Sequence, residues 1–266
     1  MNIYRQEFKA FLKSAIIWAL SMSALALLFL SIYPTIASDA ADFKEILSNY
    51  PATVREMLGI NLDFITSLLG LYTMTFSFIL LCGAIQAMNL GVSILSRESR
   101  ERTADFLLVK PVARTKIVTA KLGASITVLL LTNAIYFVIS FLSANLFKTE
   151  PFSQKVFFLI NLSMLFLQLI FLAIGMFISV FFQRIKNVLP ISLGVVFGFY
   201  MIGAVLATGA DGESKRFLSP FHYFNSAYII EHSGFEVSYL LLSIIIILVC
   251  IITGYIVYNK RDIHAV

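Results

Sequence analysis

The sequence predicts an all-α integral membrane protein with six transmembrane helices, and three observations carry that prediction. The chain of 266 residues is 59 % hydrophobic and only 13 % charged, with a mean hydropathy of +0.88, whereas soluble domains run near half apolar and about a quarter charged. Its 35 Asp, Glu, Lys and Arg residues are gathered between six long charge-free runs, each close to the ~20 apolar residues that cross ~30 Å of hydrocarbon. If both termini are cytoplasmic, 14 of the 20 basic residues fall on the inner side and 10 of the 15 acidic residues on the outer side. That is the bias expected of inner loops, and it accounts for the net charge of +5 without any nucleic-acid partner.

The chain opens on an amphipathic stretch, residues 1–13. Tyr4, Phe8, Phe11 and Leu12 share one helical face and Arg5, Lys9 and Lys13 cover the other, which predicts an interfacial helix lying along the membrane. Ser14–Tyr33 is then free of charge for 20 residues. It is too long an apolar core for a cleaved leader and reads as the first span, with Pro34 as its end. Residues 35–63 are polar and mildly acidic. Phe43, Ile46 and Leu47, then Val54, Met57 and Leu58, predict short amphipathic helices on the outer surface.

Phe64–Ser96 carries no charge over 33 residues, more than one span needs, so a second span near 64–92 extends beyond the bilayer. Gln86, Asn89 and Gly91 fit an interfacial or protein-facing position in it. Three more spans, about 122–147, 156–183 and 188–210, are joined by short links that make neighbours antiparallel. The last of these has Pro190 in its first turn, where proline is tolerated, and a Gly194-x-x-x-Gly198 pair that permits close helix packing. Residues 211–236 form a second outer segment centred on Ser219-Pro220-Phe221-His222-Tyr223-Phe224; aromatic residues at that density belong at headgroup level, or in a short re-entrant hairpin. A sixth span, about 237–259, and a short basic tail complete a single transmembrane domain with no internal repeat.

The chemistry of sites is mostly exclusion. None of the 13 glycines precedes a lysine, so the chain has no P-loop, and the zinc-protease, C-x-x-C and serine-hydrolase motifs are absent too. No enzyme activity, metal or cofactor is expected in this chain. His222 and His232 share the outer segment, where an interfacial polar role outweighs a metal or proton role. Cys82 and Cys250 both lie in apolar runs and read as buried thiols. The six runs hold no Asp, Glu, Lys or Arg, and charge is kept in hydrocarbon only for function. An ion-coupled carrier, a voltage sensor and a carboxylate-dependent membrane enzyme are therefore disfavoured. Gln86, Asn89, Asn133, Asn161 and Gln168 are the polar candidates to line a path, or else to bond neighbouring helices.

One charged stretch remains to be explained. Residues 96–121, SRESRERTADFLLVKPVARTKIVTAK, hold ten of the charged residues between two runs that hold none. Arg97 to Val109 can form a helix that Pro111 limits. Glu98 and Arg102 are spaced i, i+4 in the favourable order, and Thr103, Phe106, Leu107 and Lys110 fall on one side. Phe106, Leu107 and Leu108 suit burial in a partner's groove, with Glu98, Arg102 and Arg114 as rim charges. Thr115 is placed to cap the helix that follows.

The stretch from Glu98 to Arg114, with Lys121 beyond it, resembles the cytoplasmic loop of ABC-2 type transporter permeases. In that family an acidic residue is followed by Gly-Thr, an acidic residue, a leucine pair, a proline and an arginine. Glu98 or Glu101, Thr103, Asp105, Leu107, Leu108, Pro111 and Arg114 stand in those roles, with Arg102 where the family often has glycine, which favours a continuous helix. The interfacial start, the six spans and the Pro-aromatic segment extend the resemblance over the chain.

The resemblance implies the permease subunit of an ATP-driven exporter in a bacterial plasma membrane. Two permease subunits, alike or different, would pair above two ABC ATPase subunits that supply ATP and Mg. Glu98, Arg102, Thr103, Phe106, Leu107, Leu108, Lys110, Pro111 and Arg114 would dock the ATPase through a coupling helix. The uncharged interior favours an amphipathic or hydrophobic cargo, such as an antimicrobial or toxin peptide, a drug or a lipid. The alternatives are polysaccharide export, a non-transporting scaffold or sensor subunit, and an ATP-independent channel.

Overall fold

The computed structural model describes residues 3–101, 113–182, 185, 187–207 and 216–260, and they contain helices and turns but no strand. Six helices are long and apolar enough to cross a membrane: α1 (Ile3–Ser38), α4 (Leu68–Glu101), α5 (Arg114–Phe147), α6 (Gln154–Phe181), α7 (Val188–Ala207) and α9 (Val237–Lys260). The short helices α2 (Ala40–Ser48) and α3 (Ala52–Met57) follow α1, as their amphipathic spacing predicts. Two 3₁₀ turns, Arg216–Leu218 and Pro220–His222, and the short helix α8 (Ser226–His232) precede α9. Six crossings put the start of α1, the end of α4, the start of α5, the end of α6, the start of α7 and the end of α9 on one side, called here the loop side.

α1 departs from expectation at both ends. No break separates the amphipathic start from the span, so the expected interfacial helix is the opening of one 36-residue helix. Phe8 and Phe11 on that opening stretch pack against the buried core. At the other end Pro34 lies inside the helix, which continues to Ser38. A proline this near a terminus forfeits one backbone bond, to the carbonyl of Leu30, and the remaining turn persists. α1 buries a narrow stripe that includes Ala15, Ala19, Ser23 and Ala26. Small residues at this spacing let backbones approach closely, and α1 packs extensively on α5. Its other face presents Ile16, Ile17, Leu20, Leu27 and Leu28.

α4 and α6 make the other large interface. Gly91 and Gly175 meet there: a Cβ added at Gly91 would stand 2.3 Å from the Leu172 carbonyl oxygen and 3.0 Å from Gly175 Cα. α6 is buried on nearly every side, from Val156 to Val180, because α4, α5, α9 and the outer segment all lean on it. Ser153 caps it by accepting a bond from the Val156 amide. α9 lies at the opposite extreme, with only Ser243 and Gly254 fully buried. α5 begins at Arg114 behind Ala113 at the capping position, which has no side-chain bond. Thr115 is therefore inside the first turn, where its carbonyl accepts from Thr119, and the expected Thr115 cap is not made.

Candidate functional site

The centre of the fold is a polar seam in an apolar bundle. On α4, Tyr72, Phe76, Ile79 and Gln86 recur at spacings of four, three and seven residues, on one helical face, and are all buried. α5 brings Thr132, Asn133 and Tyr136 to them, and α6 brings Asn161 and Gln168. In the layer far from the loop, Tyr72 shares a 2.8 Å hydrogen bond with Tyr136 and donates one of 2.8 Å to Asn161 Oδ1. In the layer nearer the loop, Gln86 donates to Thr132 at 2.9 Å, Asn133 donates to Gln168 Oε1 at 2.5 Å, and Gln168 Nε2 points back to Gln86 Oε1 at 3.4 Å. Spare donors turn to their own helices: Asn161 to the Phe157 carbonyl, Asn133 to Leu129 and Thr132 to Val128. The polar groups thus satisfy one another, which is what burial away from water requires.

Four of the five residues named as candidates to line a path, Gln86, Asn133, Asn161 and Gln168, are therefore bonded between α4, α5 and α6. The fifth, Asn89, is half-buried on α4. Gly194 and Gly198 have open space on their Cβ side, with nothing within 4 Å. The close approach that their spacing predicts is not made to this chain's own helices. It occurs instead at Gly91 and Gly175.

Around the loop, α4 runs as helix through Glu98 to Glu101, and α5 begins at the half-buried Arg114. Arg102, Thr103, Phe106, Leu107, Leu108, Lys110 and Pro111 lie outside the described residues. The helices that frame the loop are joined by polar contacts. Lys121 on α5 is 3 % exposed and donates to the Ile94 carbonyl on α4 at 2.7 Å, with Glu7 of α1 at 3.9 Å. Tyr4 of α1 donates to Thr127 at 2.9 Å, and Thr119 shares a 2.8 Å bond with Tyr255 of α9. Sequence reading counted Lys121 as one more loop charge. Only its place two turns into a helix reveals that it is buried, and no local pattern signals that.

On the far side the Pro-aromatic segment reaches inward. Phe221 packs on Phe171 and Tyr200, and Phe224 on Phe166, with ring centroids 5.3–5.5 Å apart. Phe171 is 17 residues into α6, about 25 Å along its axis at ~1.5 Å per residue. Residues 216–236 therefore form a hairpin that inserts beside the middle of α6. Backbone outside regular helix is tolerated at such depth only where protein surrounds it. Ser219 donates to the Phe199 carbonyl, and Tyr223 donates to the Phe217 carbonyl. Asn225 caps α8 by accepting from the Ala227 and Tyr228 amides.

A two-pronged ion pair closes the hairpin. Arg216 reaches both Glu236 oxygens, at 2.7 and 3.3 Å, donates to the His222 carbonyl at 3.0 Å, and lies 4.5 Å from the centre of the Tyr239 ring. Burial, and secondarily the nearby Arg216 charge, hold the His222 imidazole below its usual range. His232 is elsewhere, stacked on Tyr228 at 4.1 Å. Among the described residues no three His, Cys, Asp or Glu side chains are grouped to hold a metal.

Six long apolar helices joined by a satisfied polar seam define a multi-pass helical membrane protein. The chain belongs to the ABC-2 family of transporter proteins, whose family model matches residues 1–263, in effect its whole length. It is accordingly a multi-pass permease subunit of a kind that works with ABC ATPase partners. No curated protein matches the chain significantly.

Proposed function

We propose that this chain is the permease of an ATP-driven exporter that moves an amphipathic or hydrophobic cargo across a bacterial plasma membrane. In this reading the whole chain is one transmembrane domain and both termini are cytoplasmic. Two permease subunits pair, and two ATPase subunits bind ATP and Mg beneath them. Residues 96–121 hold the coupling helix, with Phe106, Leu107 and Leu108 in the ATPase groove and Glu98, Arg102 and Arg114 on its rim.

The observation that carries the reading is the continuity of the two helices that frame the loop. α4 and α5 are each 34 residues long, about 50 Å at ~1.5 Å per residue. A push on the loop is thus delivered to rigid rods that run through the polar seam. The seam itself holds no Asp, Glu, Lys, Arg or His side chain that an ion gradient could drive. Closure of the ATPase pair would favour one arrangement of the rods over another by its differential affinity for the two. The apolar interior favours a cargo with little charge.

Co-purification tests the docking assignment. The double substitution Leu107→Asp, Leu108→Asp is expected to abolish recovery of the ATPase with the tagged permease while the permease still inserts in the membrane. Undiminished recovery would sink the assignment.

A further inference from the structure

A lysine near a helix end in a membrane protein ordinarily stretches its ammonium toward water. Lys121 does the reverse. It is 3 % exposed, and its ammonium is given to a backbone carbonyl, that of Ile94 at 2.7 Å, with the Glu7 carboxylate at 3.9 Å. A buried charge is costly unless it is paired and hydrogen-bonded, so the site binds these three elements to one another as strongly as it binds the charge. Ile94 lies in the loop-side part of α4, and Lys121 lies seven residues after the start of α5 at Arg114. The ammonium therefore staples the two limbs to each other, and Glu7 adds the start of α1. The Tyr4–Thr127 bond repeats the α1–α5 link about one and a half turns deeper.

We propose that Lys121 is a positioning residue that makes the loop's two limbs and the start of α1 move as one body, so that a displacement of the loop is passed to α1. The link to the ATPase rests on the exporter reading above; the staple itself does not.

Hydrogen exchange of the purified full chain in lipid nanodiscs tests the staple. Lys121→Met keeps the stem and removes the charge. It is expected to raise exchange over residues 3–14 about threefold, because the ammonium reaches that segment through its 3.9 Å contact with the partly exposed Glu7. Residues 139–166, at the far side, are expected to keep wild-type protection, and Lys121→Arg is expected to restore most of it over 3–14. Glu7→Gln, a milder change on a partly exposed side chain, is expected to give a smaller rise in the same segment. Wild-type protection of residues 3–14 in Lys121→Met, or an equal rise along the whole chain, would overturn the staple.

A second arm adds the ATPase and a non-hydrolysable nucleotide. Wild type is expected to show a nucleotide-dependent change over residues 3–14 that Lys121→Met loses while still binding the ATPase. A variant that responds like wild type overturns the positioning role alone. A wild-type complex with no response removes the exporter reading and, with it, the coupling role.

Discussion

Gly91 and Gly175 each occupy a position where the facing helix leaves no room for a methyl group. A Cβ at Gly175 would stand 2.8 Å from the Met88 carbonyl oxygen and 2.9 Å from the Val92 nitrogen, and backbone atoms cannot swing aside as a side-chain tip can. Gly91→Ala is therefore expected to prise α4 from α6 and destabilise the chain by about 1–3 kcal/mol, the range of overpacked cores. A lowered midpoint of thermal unfolding in detergent is the measurement, and an unchanged midpoint would contradict the tight contact. The sequence drew attention to Gly194 and Gly198, and not to the pair that meets inside this chain, for a physical reason. Gly194 and Gly198 advertise themselves by local spacing, whereas Gly91 and Gly175 are a pair only because two helices 84 residues apart in sequence cross at that point. Lys121 is the same lesson in charge: composition marks it as a loop residue, and only packing makes it a buried one.

At the level of elements, charge-free runs were legible and their ends were not. α4, α5, α6, α7 and α9 follow the apolar runs because hydrocarbon demands internally bonded backbone, and α2 and α3 follow their amphipathic spacing. Helix ends depend on what lies beyond the membrane, which is why α1 passes through both its expected start near residue 14 and Pro34. The inserted hairpin was foreseen only as one of two options, since aromatic density alone does not distinguish a surface segment from one held against α6.

Its depth gives His222 a testable role. A C-β at Gly203 would stand 2.7 Å from the His222 ring, so the imidazole is wedged against α7 where protonation is disfavoured by burial and then by Arg216. The folded state thus binds fewer protons than the unfolded one. The histidine's contribution is intact above its ordinary value of about 6.5 and declines as pH falls through it, by no more than about 1.4 kcal/mol per pH unit. Hydrogen exchange over residues 216–236 is expected to rise between pH 7 and pH 5, and His222→Gln is expected to flatten that rise. A rise of equal slope in the variant would assign it to other groups.

On the scale of the whole molecule, burial is uneven. α6 is enclosed, while α1, α7 and α9 turn broad apolar faces outward, among them Leu28, Val205, Leu248 and Ile252. Lipid covers such faces adequately, so exposure alone names no partner. The open Gly194–Gly198 surface of α7 is nevertheless a place where a second backbone can come close, and the proposed pairing of two permeases gives it a use. Replacing both glycines by isoleucine is expected to leave the thermal stability of the single chain within about 0.5 kcal/mol, as for positions free of packing, and to reduce the paired fraction measured by cross-linking in membranes. Loss of stability without loss of pairing would place the surface inside one chain.

The three-helix polar seam also has a history. A chain is made from its N-terminus, so α4 and α5 are complete before α6 exists. At that moment Tyr72 can already pair with Tyr136, and Gln86 with Thr132, but the side-chain partners that Asn161 and Gln168 provide are still unmade. A newborn bundle of α1, α4 and α5 must therefore hold half-satisfied amides against the bilayer until the fourth crossing arrives. The insertion of α6 is the step that closes the seam and commits the earlier helices to their register.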